Sequence, residues 1–274
     1  MNVVTLNNGV RMPQLGFGVF KVEDDQATTA VKNALQVGYR SIDTAMYYRN
    51  EKGVGKAIRE SSISREDLFI TTKVWNSDQG YDNTLCAFEE SLDRLGLEYV
   101  DLYLIHWPTP QFDRYVDTYK ALEKLYQEDR VKAIGVCNFD INHLERILTE
   151  CDVKPVINQV ECHPYFSQVE LKEFCAKHDI YVEAWAPLEQ GGEVLKDSVV
   201  VEISTEHQKT PAQIVLRWHL QNHTIVIPKS VTPSRMEENF GVFDFELTQE
   251  EMARINALNK NHRNGAVPSE MNRL

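Results

Sequence analysis

Positive charge is scarce in this 274-residue sequence, which has 29 Lys and Arg against 41 Asp and Glu and a formal net charge of −12. A surface that binds nucleic acid or an anionic membrane needs clustered Lys and Arg, and no such stripe occurs. The longest apolar runs are far shorter than the roughly 20 residues of a membrane-spanning helix. We therefore expect no nucleic-acid partner and no membrane association.

Cysteine patterns are also missing, since no C-x-x-C pair occurs and the cysteines are odd in number and scattered: Cys86, Cys137, Cys151, Cys162 and Cys175. This spacing argues against a disulfide framework. Cys162 and His163 are adjacent, so in a strand they point to opposite faces and cannot share one zinc ion; we expect no metal site. The first thirteen residues lack a basic region followed by an apolar core, so no signal peptide is expected. Together these features predict a cytoplasmic protein.

What the sequence does contain is a regular alternation of short apolar runs with helix-period segments. Eight runs are predicted to be strands: 15–20, 40–44, 68–74, 99–106, 132–139, 156–163, 181–185 and 224–229. Strands that are apolar on both faces and alternate with helices favour a parallel sheet. Eight such units predict an α/β fold, a closed (β/α)8 TIM barrel. An open doubly wound sheet, which usually has fewer strands, is the alternative.

Between these strands, amphipathic segments predict helices at 84–96, 143–150 and 210–221. The last begins with Thr-Pro, a cap followed by proline at the first helical position. Before the first strand, Asn-Asn-Gly at 7–9 separates two apolar pairs and predicts a β-hairpin, which we expect to cover the N-terminal end of the barrel. No linker or charge block divides the chain, so residues 1–274 are predicted to form one domain.

Polar residues stand at the ends of three successive predicted strands, where barrels of this kind carry their chemistry. Asp43 ends the second strand, with Tyr48 one turn beyond it, Lys73 ends the third and His106 the fourth. Each has an ordinary explanation when taken alone. On that explanation, Asp43 caps a helix, Lys73 is a solvated residue at the rim, and His106 is a structural residue that forms hydrogen bonds. Their convergence on one mouth favours an acid–base site instead.

The four side chains have a common chemical logic. A tyrosine has a pKa of about 10, too high for easy proton exchange near neutrality, and a cationic neighbour such as Lys73 lowers it. A lysine at a barrel mouth needs a carboxylate to keep its proton, and Asp43 fits. His106 can donate a hydrogen bond to a carbonyl oxygen. The unit suits interconversion of a carbonyl and an alcohol, with Tyr48 as the acid.

Five ordered motifs then carry a resemblance: D-T-A-x-x-Y-x-N-E at 43–51, T-T-K at 71–73, L-I-H-W-P at 104–108, N-Q-V-E-x-H-P at 158–164, and I-P-K-S at 227–230 followed by Arg235 and Glu238-Asn239. In these motifs the chain resembles the aldo-keto reductase superfamily, in register from about residue 3 to 260. Within it the chain is most similar to bacterial diketogluconate and methylglyoxal reductases and their kinetoplastid prostaglandin F synthase relatives.

The resemblance implies NADPH-dependent reduction of aldehydes, ketones or dicarbonyls to alcohols by hydride transfer. Tyr48 is then the proton donor, and Asp43, Lys73 and His106 are its catalytic partners. It also implies a set of cofactor contacts, in which Asn138 and Gln159 hold the nicotinamide carboxamide and Trp185 stacks on the ring. The other implied cofactor contacts are Leu188, Gln190, Gly191, Lys229, Ser230, Arg235, Glu238 and Asn239.

The residues also bear on the choice of cofactor. No G-x-G-x-x-G opens a helix, which argues against a Rossmann dinucleotide site, and the segment 53–56 lacks the spacing of a phosphate loop. Lys229 and Arg235 flank Ser230 and form a local basic notch in an acidic protein. A 2′-phosphate suits such a notch, so we expect NADP(H) rather than NAD(H). The loop 190–192 is expected to close over the pyrophosphate.

Aromatic residues at the strand ends predict an apolar pocket for a small carbonyl substrate, and the tail from Asn264 onward is expected to fold over it. The expected substrate contacts are Phe20, Tyr47, Trp75, His106 and Trp107, with Phe139 as a further lining residue. We expect a monomer, since no heptad or exposed apolar face is readable.

Two departures from the resemblance stand out. Cys137 and Ala186 occupy positions where serine is common, and cysteine is the weaker hydrogen-bond donor. We expect cofactor affinity to suffer before catalysis does. Two other function classes stay open, a glycoside hydrolase that pairs Asp43 with Glu161 and a non-enzymatic binding subunit on the same fold.

Overall fold

A computed structural model describes residues 2–274. The chain begins with an antiparallel hairpin of β1 (Val3–Thr5) and β2 (Arg11–Pro13). Its turn is closed by a hydrogen bond from the Gly9 amide to Leu6 O, with Gly9 at a φ of 85°. This φ favours glycine. The Asn-Asn-Gly hairpin prediction is therefore confirmed.

Eight parallel strands follow in one sheet whose spatial order is their order along the chain. They are β3 (Phe17–Gly18), β4 (Ser41–Asp43), β5 (Phe69–Val74), β6 (Val100–Ile105), β7 (Val131–Cys137), β8 (Ile157–Glu161), β9 (Tyr181–Trp185) and β10 (Ile225–Val226). All eight predicted strands are present. The first and the last are much shorter than the apolar runs that predicted them.

The sheet curls until its two ends meet. The Gly16 amide donates to Val226 O over 2.8 Å, and the Gly18 amide donates to Pro228 O over 3.2 Å. Both bonds join the segment of β3 to that of β10, which an open sheet would leave apart. The arrangement is consistent with the expected TIM barrel and not with the open doubly wound alternative.

Helices follow the strands, and all but the last two return the chain from one strand to the next. They are α1 (Asp24–Val37), α2 (Glu51–Arg59), α3 (Tyr81–Leu95), α4 (Tyr115–Gln127), α5 (Ile141–Glu150), α6 (Val169–Lys177), α7 (Ser198–His207), α8 (Pro211–Gln221), α9 (Pro233–Phe240) and α10 (Gln249–Asn256). The predicted Thr-Pro start of α8 is confirmed, because Thr210 and Gln213 form a reciprocal capping box. Such a cap contributes about 1 kcal/mol.

Side chains alternate between the two faces of each strand. In β6, Leu102 and Leu104 belong to the cluster inside the barrel, whereas Tyr103 and Ile105 pack outward with the helices. At the N-terminal end the interior is closed by the hairpin, whose Leu6 and Met12 join the inner cluster. Asn7 fixes the hairpin there by donating to the carbonyls that precede β8 and β9. The opposite end, where the strands finish, is left for the site.

Candidate active site

Strand alternation places five polar side chains inside the barrel near the C-terminal strand ends. In β5, Phe69 lies in the inner cluster, so Lys73, four residues on, points the same way. The same parity applies on four other strands of the sheet, β4, β7, β8 and β9. We call the five residues the inner polar layer: Asp43, Lys73, Cys137, Gln159 and Glu183, each at most 2% exposed.

Lys73 is the centre of this layer and is fully buried. Its Nζ donates to Asp43 Oδ1 over 2.7 Å, to the Thr44 carbonyl oxygen over 2.9 Å and to Tyr48 Oη over 3.3 Å. Burial acts to lower the pKa of Lys73, but the negative charge of Asp43 and its hydrogen bond raise it, and the net value lies above the ordinary 10.5. Lys73 is therefore an ammonium ion whose three protons all have acceptors.

Asp43 is not a helix cap, so that interpretation was wrong. The helix that follows, α2, has Asn50 at its N-cap position. The Asp43 carboxylate instead divides its two oxygens between Lys73 and Gln159, whose Nε2 donates to Oδ2 over 2.8 Å. Thr44 turns away and donates to Asn50 Oδ1 over 2.7 Å. The Asp43 side chain therefore lies in the barrel interior and not in the loop that follows β4.

Tyr48 reaches Lys73 from a single turn of 3₁₀-helix, Met46–Tyr48, directly after β4. Burial raises the pKa of Tyr48 above its ordinary 10.0, although Lys73 acts in the opposite direction. Lys73 therefore acts in the expected direction, but burial, which the expectation left out, outweighs it and leaves the net pKa of the phenol raised. The consequence is that Tyr48 keeps its proton at neutral pH. Lys73 lies where it can stabilise the phenolate once that proton has left.

His106 faces Tyr48 across the mouth, with ring centroids 5.6 Å apart. Burial, together with the charge of Lys73, lowers the pKa of His106 well below its ordinary 6.5, so the imidazole is neutral at pH 7. Its Nδ1 is buried and has no partner within residues 2–274. Because His106 lines the cavity, the Nε2 edge is the one that reaches it. A neutral ring there can present one N–H donor.

These groups open into a cavity of about 850 Å³. Every expected substrate residue lines it: Phe20, Tyr47, Trp75, His106 and Trp107. Tyr47 stacks on Trp75 with a centroid separation of 3.8 Å, so the two rings form one apolar wall. Phe139 was wrongly expected in this wall. It is fully buried among Tyr115 and His143 instead, because it lies past the strand end on the helical side.

Above the inner polar layer, three of the expected cofactor contacts form one connected group. Trp185 Nε1 donates to Asn138 Oδ1 over 2.8 Å, and Asn138 Nδ2 donates to His106 O over 3.0 Å. Asn138 has a φ of 62°, in the left-handed region that asparagine tolerates better than most residues. Gln159 lies below them, and all three residues line the cavity. The Trp185 indole is thus held through its Nε1 edge by Asn138, beside the acid–base group.

The far end of the same cavity contains the basic notch. Lys229 and Arg235 are both exposed, and neither forms an ion pair within the described part of the chain. Glu238 is already engaged, since its Oε1 accepts from Thr210 Oγ1 over 2.7 Å. The remaining expected contacts line the cavity as well: Leu188, Gln190, Gly191, Ser230 and Asn239. A long cavity with free cations at one end and an acid–base group at the other fits NADP(H).

The C-terminal tail folds over the cavity, as expected from the sequence. Glu161, at the end of β8, is fully buried and accepts hydrogen bonds from the Asn264 amide (2.7 Å) and the Gly265 amide (2.8 Å). These bonds and His163 lower the pKa of Glu161 against the effect of burial. Gly265 fits closely, because a Cβ there would lie 2.5 Å from Trp185 Cη2. Glu161 therefore holds the tail and has no hydrogen bond to Asp43 within the described residues, which leaves the hydrolase pairing without support.

Sequence reasoning missed several cavity and support residues. Met271 lines the cavity from the tail, and Asn76 Nδ2 holds the tail's end by donating to Arg273 O over 2.7 Å. No motif marks these contacts, which join positions almost 200 residues apart. Glu183 of the inner polar layer was also missed, although strand alternation between Tyr181 and Trp185 would have placed it inside the barrel.

Two absences hold for the described residues 2–274. None of the helices there combines the length and apolar character required to cross a bilayer. No cluster of three or more His, Cys, Asp or Glu side chains over the same range could bind a metal ion.

Comparison with known proteins gives a consistent result. The aldo/keto reductase family model matches residues 14–260. The 9,11-endoperoxide prostaglandin H2 reductase of Trypanosoma cruzi (strain CL Brener) is 54% identical over 270 residues, covering 97% of this chain and 95% of that protein. The glyoxal reductase of Bacillus subtilis (strain 168) is 54% identical over 271 residues, covering 98% and 97%. A crystal structure of a Gox0644 variant in complex with NADPH is similar with a TM-score of 0.94, 48% identity and 98% coverage of each chain.

Proposed function

Because the chain belongs to the aldo/keto reductase family, we propose that it reduces aldehydes, ketones or dicarbonyls to alcohols with NADPH, and that Tyr48 donates the proton. The observation that carries this proposal is the hydrogen-bonded set of Asp43, Lys73 and Tyr48 at the cavity floor, with neutral His106 facing it. A hydrolase needs two opposed carboxylates, and a pure binding module needs no buried lysine beside a phenol.

The reduced nicotinamide supplies the hydride when NADPH is bound. His106 donates a hydrogen bond from Nε2 to the carbonyl oxygen and so orients the substrate. Tyr48 Oη gives its proton to the same oxygen as negative charge develops there. An alkoxide is a much stronger base than a phenolate, so the raised pKa of Tyr48 does not prevent the transfer. Lys73 then stabilises the phenolate, while Asp43 keeps the ammonium group in place.

The two ends of the cavity support the choice of ligands. Lys229 and Arg235 provide charge for the 2′-phosphate of NADP(H), which NAD(H) lacks. At the other end, the wall formed by Tyr47 and Trp75 and the tail residue Met271 leave an apolar space suited to a small carbonyl compound. A relative is named for glyoxal, so small dicarbonyls are the substrates that we propose first.

Other properties complete the proposal. We propose that the chain acts as a single domain over residues 1–274, as a monomer, and in the cytoplasm. The loop 190–192 is proposed to close over the pyrophosphate. In the structure this loop includes two residues with positive φ, Gln190 at 56° and Gly191 at 81°.

The first test is a titration with NADPH and then with NADH, followed by quenching of tryptophan fluorescence. Trp185 lies in the proposed nicotinamide site, so no substrate is needed. We expect tight quenching by NADPH and weak quenching by NADH. Lys229→Ala and Arg235→Ala should each reduce the ratio of the NADPH affinity to the NADH affinity by about tenfold. This is the value of a charge-assisted hydrogen bond of about 1.5 kcal/mol.

Lys56→Ala is the matched control, because Lys56 is an exposed lysine of α2 that does not line the cavity. It should leave both affinities unchanged. Absence of binding by either nucleotide would overturn the reductase proposal as a whole. An unchanged preference in both notch variants would remove Lys229 and Arg235 from it and leave the reaction standing.

A further inference from the structure

The inner polar layer contains a second carboxyl group that the proposed reaction does not use. Glu183 lies on β9, is 1% exposed, and is the strand partner of Gln159 on β8. Gln159 Nε2 lies 2.8 Å from Glu183 Oε2 and also 2.8 Å from Asp43 Oδ2. One amide group is thus held between two carboxyl groups.

This geometry fixes which way the amide of Gln159 points. The terminal atom between the two carboxyl groups is the nitrogen, because an amide oxygen there would lie 2.8 Å from an oxygen of the Asp43 carboxylate, which can only accept. Both N–H groups of Gln159 are consumed by these bonds. The amide oxygen, Oε1, is left on the opposite side, 3.6 Å from Cys137 Sγ. Gln159 and Cys137 both line the cavity.

We propose that Glu183 is a positioning residue that fixes the amide of Gln159 so that Oε1 accepts a hydrogen bond from the carboxamide NH₂ of the nicotinamide. This inference rests on the proposed use of NADP(H). Without Glu183, one N–H of Gln159 would lose its buried acceptor and Asp43 alone would hold the amide, which could then turn so that the freed N–H faces the cavity. The carboxamide would then lose its partner.

The charge state of Glu183 agrees with this role. Burial raises its pKa to about 8, with a further contribution from the charge of Asp43, while the Gln159 hydrogen bond and Lys73 act the other way. The charged and titratable groups that face it are Asp43 on β4, Lys73 on β5 and the Cys137 thiol on β7. With its pKa raised, Glu183 is mainly uncharged at neutral pH and accepts from Gln159 through its unprotonated oxygen Oε2, a role that an amide oxygen can replace.

The test compares binding of NADP⁺ with binding of its 3-acetylpyridine analogue, in which a methyl ketone replaces the carboxamide and no N–H can be donated. Affinities come from tryptophan quenching, without turnover. In the wild-type protein we expect NADP⁺ to bind about fivefold more tightly, the value of one neutral hydrogen bond. Glu183→Met should bring this ratio close to one by weakening NADP⁺ alone. Glu183→Gln keeps an acceptor and should retain the ratio.

The outcomes separate the two levels of the proposal. Failure of the wild-type protein to bind NADP⁺ would refute the proposed function itself. Equal affinity of the wild-type protein for both nucleotides would overturn the inference about Glu183 even if Glu183→Met did not fold. An unchanged ratio in Glu183→Met, or an equal loss for both nucleotides, would reduce Glu183 to a structural residue. Equal affinity of Glu183→Gln for NADP⁺ and its 3-acetylpyridine analogue would also contradict the proposed role.

Discussion

Replacement of Lys73 by methionine tests the site and the fold together. Lys73 and Asp43 form an ion pair of 2.7 Å with side-chain exposures of 0% and 3%. Removing one partner of a buried pair leaves the other charge unpaired and costs about 3–5 kcal/mol. We expect Lys73→Met to lose that much stability in urea unfolding and to reduce glyoxal turnover by at least about a hundredfold, on the scale of lost acid–base catalysis.

The double variant Lys73→Met/Asp43→Leu separates the two effects. It removes both charges, so most of the lost stability should return, whereas turnover should stay lost because no cation remains beside Tyr48. Since the pKa of Lys73 is raised above 10.5, the contribution of the pair is fully present below that pH and is lost only at more alkaline pH. The stability difference should therefore not vary around neutrality through Lys73.

Three results would refute this reasoning. Wild-type stability in Lys73→Met would mean that the ion pair is not the buried contact that its geometry indicates. Recovery of NADPH-dependent turnover in the double variant would mean that Tyr48 needs no cation. A double variant less stable than Lys73→Met would mean that Asp43 is held mainly by Gln159.

Further predictions concern the phenol, the thiol and the tail. Tyr48→Phe should abolish carbonyl reduction and leave the NADPH affinity within about a factor of two, whereas Tyr47→Phe should stay active; substantial turnover in Tyr48→Phe would exclude it as the proton donor. Cys137→Ser should tighten NADPH binding several-fold, because a hydroxyl donates a stronger hydrogen bond than a thiol; unchanged quenching titrations would contradict this. Gly265→Ala should raise KM more than it lowers kcat, because the new methyl group would lie 2.5 Å from the Trp185 ring and displace the tail; unaltered steady-state kinetics would exclude the contact.

The order of the fold was predictable because it depends on local signals. Eight apolar runs separated by helix-period segments sufficed to predict eight parallel strands, and β9 was predicted with its observed bounds, Tyr181–Trp185. The lengths of the first and last strands of the sheet, β3 and β10, were overestimated, since each has only two residues with regular ladder bonds. Apolar character continues past the point where a strand leaves its neighbour, so composition alone does not mark that point.

The site was predictable to the extent that it follows from strand ends. Asp43, Lys73 and His106 were brought together because parallel strands finish at one edge. The sign of the pKa shift of Tyr48 was not predictable, because it depends on a balance between burial and the charge of Lys73. The prediction that Phe139 lines the substrate pocket was wrong for a related reason. A residue just past a strand can turn to either side, and only the packing of Tyr115 decides which.

The two ends of the barrel interior divide stability from chemistry. At the closed end the interior is apolar, with Leu102, Ala133 and Ile157 packed under the hairpin, and burial of the leucine and isoleucine side chains stabilises by roughly 1.5–3 kcal/mol each. At the open end the inner polar layer adds little net stability, because desolvation offsets its attraction. It is tolerated because the donors of Lys73 and Gln159 there have acceptors. Substitutions in the tail or in the loops around the cavity can therefore change which substrate is accepted without disturbing the acid–base group. Removal of a single member of the inner polar layer, in contrast, leaves its buried partner without a hydrogen bond or ion pair.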